Sequence, residues 1–202
     1  PKIREQAVRY FSNCYSEDEE VVPLVIQAVE KFGRDGAYSL IGSSVGLRHS
    51  EKTIAWIVDE LNDPDSDRYE SYTFNLTRVL CHADPALLVH RDTAIIESRH
   101  FLPDFQERFT RRLELLSWDE AECWRHLEEI CEEGKGKQYT TEVDLSFAND
   151  LLEAMARSGR IFEDRVLSIL AQKVDDFENN PMKWLEPLMV RFAGLLRLEA
   201  AV

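Results

Sequence analysis

The sequence predicts an all-α chain built as a stack of helix pairs, and three observations predict it. Apolar residues recur at i, i+3, i+4 and i+7 through most of the 202 residues, the spacing of one helix face. No alternation of period 2 is sustained anywhere, so strands have no support in the pattern. Finally, an Arg followed three positions later by a small residue opens successive helices: Arg4-Glu5-Gln6-Ala7, Arg34-Asp35-Gly36-Ala37 and Arg68-Tyr69-Glu70-Ser71, the arginines 30 and 34 positions apart. A period in that range belongs to stacked helical units, because one unit cannot bury its own apolar face.

The first helix runs from about Pro1 to Cys14, with Ile3, Ala7, Val8 and Phe11 on one face. Pro1 suits its first turn, where the missing N–H is not needed. Ser16-Glu17-Asp18-Glu19 reads as a capping box opening the second helix. Val21, Val25, Ala28, Val29 and Phe32 form the second helix's buried stripe, and Gly33 ends it. Pro23 implies either a kink or a later start. The third helix, about Asp35 to Ser44, is short and weakened by Gly36, Gly42 and Gly46.

Ser50 opens a fourth helix whose stripe is Ile54, Ile57, Val58 and Leu61, and Asn62-Asp63-Pro64-Asp65 is a turn. A fifth follows from Asp67 to His82, then a looser pair over Pro85 to Glu97, then Pro103 to Leu116 and Trp118 to Glu133. Gly134-Lys135-Gly136-Lys137 is the clearest loop. It marks a boundary between sub-arrays 1–133 and 138–202 of a single 1–202 domain. Thr141 to Arg157 and Ile161 to Val174 are helical, and a last helix starts near Pro181. Its apolar set (Trp184, Leu185, Leu188, Met189, Phe192, Leu195, Leu196) is too wide for one buried face, so it is expected to meet something beyond it.

A net charge of −14 repels phosphate backbones and anionic membranes and attracts basic partners. The densest basic cluster, Arg108, Arg111 and Arg112, reads as a solvated face paired with nearby Glu. The four Cys, at 14, 81, 123 and 131, have no disulfide or zinc spacing. That makes a reducing compartment, and hence the cytoplasm, the expectation. No apolar run approaches the roughly 20 residues a bilayer span needs.

The helix pairs resemble HEAT-type repeats. The residues that carry the resemblance are Ile3-Arg4-Glu5-Gln6-Ala7 and Leu61-Asn62-Asp63-Pro64-Asp65-Ser66-Asp67-Arg68, running from one pair into the next. In that family an Asp in the turn and an Arg near the start of the first helix form ladders along the stack. Asp63 and Arg68 match that pattern in type, whereas Arg4 and Arg34 match the Arg alone. The resemblance covers roughly residues 1–82 and fades to helix pairing from Pro85 onward, where Arg108 lacks the small residue. It implies a right-handed α-α superhelix of about five helix pairs plus a terminal helix, and a bias toward protein binding.

Catalytic and metal motifs give way to plainer readings. Asp63-Pro64-Asp65-Ser66-Asp67 opens like a calcium loop, but Arg68 and Phe74 stand where Gly and the bidentate Glu are required. Cys123 and Cys131 flank Leu127 and Ile130 on a buried stripe, His126 points off it, and no fourth zinc ligand is near. Cys81 and His82, as helix neighbours about 100° apart, cannot pair as nucleophile and base. Glu128, Glu129, Glu132 and Glu133 form a solvated acidic face. No cofactor, metal or catalytic residue is expected.

Trp56 differs, since helical phase sets it opposite the stripe of its own helix, among Lys52, Asp59 and Glu60. An outward Trp is a frequent interface hot spot. The expected function is therefore a non-catalytic scaffold or adaptor. It would hold a basic protein or peptide on a concave face, with Trp56, Glu60, Glu30 and Gln27 as contacts. No nucleic acid and no membrane is expected. The alternative is a HEAT-like enzyme or nucleic-acid-binding protein of the DNA glycosylase or lyase type, which would need a cationic groove with aromatic residues around a carboxylate.

Overall fold

A computed structural model describes residues 2–13 and 18–199. These residues build only helix: ten α-helices joined by turns, several of them 3₁₀, with no strand among them. The chain divides into two compact units, Pro1–Glu114 and Leu115–Val202. Cys14 and the Ser16-Glu17 part of the expected capping box lie outside the described residues.

The first unit holds α1 (Lys2–Asn13), α2 (Val21–Ser43), α3 (Glu51–Asn62), α4 (Glu70–His82), α5 (Asp92–Ile96) and α6 (Gln106–Glu114). The second and third expected helices are one span, α2, broken at Gly33 with φ 74° and ψ 167°. Only glycine occupies that region without strain. Because α2 starts at Val21, Pro23 falls in the first turn, where backbone donors have no helical acceptor anyway. Its ring therefore breaks nothing.

The core of this unit is built chiefly by three helices, with Ile95 of α5 and Phe109 of α6 also buried in it. Val25, Val29, Ala37, Leu40 and Ile41 of α2 pack with Ile54, Ile57 and Leu61 of α3 and with Tyr72, Leu76, Val79 and Leu80 of α4. Burying each large aliphatic side chain contributes about 1.5–3 kcal/mol. Ser50 caps α3 by accepting from the Thr53 N–H at 3.3 Å.

Two apolar expectations fail near the start. Phe32 is 43% exposed, its ring covered by the Arg4 guanidinium at 4.3 Å rather than by the core. It stands immediately before the break, where the helix axis turns away. On α1 only Val8 packs on the core, while Ile3 is 87% exposed.

The rest of the first unit is less regular. The looser pair expected over Pro85 to Glu97 is a 3₁₀ turn, Pro85–Leu87, and the five-residue α5. Arg112 is not on a solvated face. It is buried and donates to the Ala83 carbonyl oxygen at 3.3 Å, just past the end of α4, where helix carbonyls lack donors.

The second unit holds α7 (Glu120–Glu133), α8 (Leu145–Ala156), α9 (Glu163–Leu170) and α10 (Met182–Leu195). Asp119 caps α7 through the Glu122 N–H at 2.8 Å, and Asp144 caps α8 through the Phe147 N–H at 2.9 Å. Trp124, Leu127, Leu151, Met155, Val166, Met189 and Phe192 form the core.

The wide apolar set of α10 is largely covered within this unit, with Leu195 partly exposed. Trp184, Leu185, Leu188, Met189, Phe192 and Leu196 are all buried among side chains of α7, α8 and α9. Sequence phase alone does not reveal that three helices surround one.

The Gly134–Lys137 turn lies within the second unit, whose first residue is Leu115. Gly134 is buried there beneath Trp184, whose Nε1–H donates to the Gly134 carbonyl at 2.7 Å. Cys123 and Cys131 are buried, and burial pushes their thiols up to about 11 and about 12. They are inert core residues rather than nucleophiles.

The break at Gly33 yields a stability test. Nothing lies within 4 Å of a Cβ added there, so Gly33→Ala changes backbone strain and no packing. We expect a loss of about 1–3 kcal/mol in urea denaturation. An unchanged midpoint would mean that the break relaxes freely to helical angles.

Candidate functional site

Gly33 turns the chain so that Arg34, the next residue, reaches the end of α3. Its Nε donates to Glu60 Oε2 at 2.8 Å, and a terminal nitrogen pairs with Asp63 in the following turn. Glu60 Oε2 also accepts from the Tyr72 hydroxyl of α4 at 2.8 Å. One carboxylate thus ties α2, α3 and α4 together.

The electrostatics follow from this arrangement. The hydrogen bond to Glu60 holds the Arg34 guanidinium protonated well beyond its ordinary range. Burial, and then the bond to Glu60, pushes the Tyr72 phenol up, so it donates and does not ionise. Asp63 is held below the usual carboxylate range, first by the Asp65 N–H at 2.9 Å and then by Arg34. Asp63 therefore acts as a turn cap and an ion-pair partner. One of its oxygens accepts the Asp65 N–H and the other pairs with Arg34.

Beside this network lies a groove of about 300 Å³ lined by Val29, Glu30, Gly33, Arg34, Trp56, Glu60 and Tyr69. A second, more polar groove of about 400 Å³ shares Arg34 and Tyr69 with it and adds Asp35, Tyr38, Arg68, Glu70, Ser71 and Tyr72. The 3₁₀ turn Pro64–Arg68, together with Tyr69, delivers Arg68 and the tyrosine ring to these grooves.

Three of the four residues singled out from the sequence meet here: Glu30, Trp56 and Glu60 line one groove. Gln27 is exposed on α2 and does not line it. Trp56 is half-buried, with part of its indole packed on the core of the first unit, so its outward position is only partial. Glu60 is committed to Arg34 and Tyr72 and is not an open anion. Glu30 is exposed.

Sequence reasoning missed Arg34 and Tyr69 as lining residues. The Arg34–Asp63 pair does have the residue types of the turn-to-helix ladder quoted above, which was the available signal. Tyr69 had none, because its place depends on how the 3₁₀ turn ends.

Chemically, the groove offers an indole, a phenol ring and one exposed carboxylate around a neutralised ion pair. Such a set suits contact with an extended or helical partner carrying cations. Among the described residues no group of three or more His, Cys, Asp or Glu side chains converges as a metal site would require. Nor is any described helix long and apolar enough to cross a membrane. No known protein family, curated protein or solved structure matches this chain.

Proposed function

We propose that this chain is a non-catalytic scaffold of the HEAT-like type, a right-handed stack of helix pairs acting in the cytoplasm. In this reading a basic protein or peptide binds along the face that carries Trp56. The observation behind it is the groove itself. A half-buried indole and Tyr69 stand beside the exposed Glu30, while Glu60 and Arg34 neutralise one another. Its lining carries two carboxylates against one guanidinium, a balance opposed to a phosphate backbone. The Arg34–Asp63 pair supports the repeat reading, because it joins a helix start to the next turn in the manner of the ladder.

The test uses tryptophan fluorescence titration with peptides of Lys and Leu, with matched peptides of Glu and Leu, and with duplex DNA at physiological salt. Only the basic peptides are expected to bind. Trp56→Ala should weaken that binding by about 2 kcal/mol, the usual hot-spot scale, followed by calorimetry because the reporter is lost. Its stability cost should stay near 1–2 kcal/mol, since part of the ring is already in water. Glu30→Lys should slow association and flatten its salt dependence. Binding indifferent to Trp56→Ala, or tighter binding of the DNA, would sink the proposal.

A further inference from the structure

Between α1 and the first half of α2 runs a groove of about 280 Å³, lined by Ala7, Val8, Phe11, Leu24, Val25 and Ala28 among others. Its rim is unusually apolar for a surface. Leu24 is 61% exposed and Phe11 38%; Ile3, one turn before Ala7 on α1, does not line the groove and is 87% exposed. Contiguous apolar exposure of this kind marks an interaction site more often than a solvated face.

The charges are arranged by end. At the end away from the α1–α2 connection, the Arg4 guanidinium and the Lys31 ammonium both lie over the Phe32 ring, at 4.3 and 5.5 Å. At the connection end the groove is bounded by Asp18 and Glu20. Its middle pairs a protruding residue, Leu24, with the small Ala7 and Ala28.

We propose that a second copy of this chain docks here, with a two-fold axis through the middle of the groove. Leu24 of one protomer then enters its partner's groove beside Ala7 and Ala28, and the reverse holds by symmetry. The same rotation sets the Arg4 and Lys31 end of each protomer against the Glu20 end of the other. A partner of one charge sign would satisfy only one end, whereas a second copy satisfies both. This surface is separate from the Trp56 groove and stands or falls independently of it.

Sedimentation equilibrium of the 202-residue chain tests the proposal, with 23.4 kDa as the monomer mass. Dimers of twice that mass are expected within the micromolar range, and Leu24→Arg should abolish them. Arg4→Glu and Glu20→Arg should each raise the dimer dissociation constant about tenfold, because each converts two attractive contacts into repulsive ones. An equimolar mixture of those two variants should bind several-fold tighter than either variant alone, since both contacts between positions 4 and 20 are then attractive again and only one Lys31 still faces a cation. Arg4 and Glu20 are exposed, so these arms remain readable even where Leu24→Arg disturbs folding. Circular dichroism checks that each variant keeps its helix.

A wild-type chain that stays monomeric at about 100 µM, well above typical micromolar constants, overturns the proposal. So does a dimer indifferent to Leu24→Arg and to both charge variants. So, too, does a mixture that binds no tighter than either variant alone.

Discussion

Trp184→Ala is expected to lower the unfolding free energy by about 4 kcal/mol, the range for truncating a buried aromatic ring. The indole is 7% exposed within the core of the second unit. Its loss opens a cavity and strands the Gly134 carbonyl, which otherwise accepts the Nε1–H. Gly134→Ala should also destabilise, by about 1–3 kcal/mol, through overpacking. A Cβ built at position 134 falls 2.5 Å from Trp184 Cδ1. Its backbone angles, φ −73° and ψ −12°, are ordinary for any residue, so crowding is the cause, chiefly by the ring and to a lesser degree by the Cys131 carbonyl oxygen at 3.2 Å.

The two effects should therefore fail to add. With the indole removed, only the Cys131 carbonyl oxygen at 3.2 Å still crowds the added methyl, and Gly134→Ala should cost much less in the Trp184→Ala background. Urea denaturation followed at 222 nm completes the double-mutant cycle. Additivity within about 0.5 kcal/mol would refute the contact between this glycine and this ring.

Gly134 also illustrates what the sequence leaves hidden. A Gly-Lys-Gly-Lys stretch reads as a flexible boundary because glycine is permissive and lysine is soluble. Here the first glycine serves close packing, and the second, with φ 71°, supplies the turn. Composition does not separate these roles; the ring that closes on Gly134 comes from 50 residues away. The breadth of the α10 apolar surface misled for the same reason. Phase reports how much of a helix is apolar, but not how many neighbours share it.

Elements governed by local chemistry were legible. Of the stripe Ile54, Ile57, Val58 and Leu61, three residues are buried and Val58 is partly so, and Ser50 caps α3 as its position before the stripe implies. The stop at Gly33 is real, although the chain resumes helix at once.

The candidate groove was legible in part. Glu30, Trp56 and Glu60 were chosen by outward phase and do share one lining. Phase did not reveal that Arg34 crosses from α2 to neutralise Glu60. Nor did it reveal that Trp56 leans on the core. Both depend on where α2 sits after the break.

His49 supplies the largest expected pH effect. It lies in the segment between α2 and α3, 8% exposed, and its Nε2 is 3.2 Å from the Ser44 carbonyl oxygen. A carbonyl only accepts, so Nε2 carries the proton and Nδ1 holds the lone pair. That Nδ1 is buried without a hydrogen-bond partner. Protonating it would place a cation where no water reaches. Burial accordingly lowers this imidazole to about 4, against the 6.5 of a free imidazole.

The unfolded chain thus binds a proton that the folded chain refuses. The contribution of His49 to stability is fully present above pH 6.5 and is lost as pH falls from 6.5 to about 4. Over that window the loss amounts to about 3 kcal/mol. Carboxylate protonation acts oppositely in part, because it relieves repulsion in a chain of net charge −14. The comparison that isolates His49 is therefore wild type minus His49→Asn, by urea denaturation at steps from pH 7.5 to 4.5. The lost bond to Ser44 shifts that difference by a constant, while the imidazole gives it a slope. The difference should stay level above pH 6.5 and then decline toward pH 4.5. Proton NMR of the folded chain should find the His49 ring neutral down to about pH 5, and a ring titrating near 6.5 would show that the site is open to water.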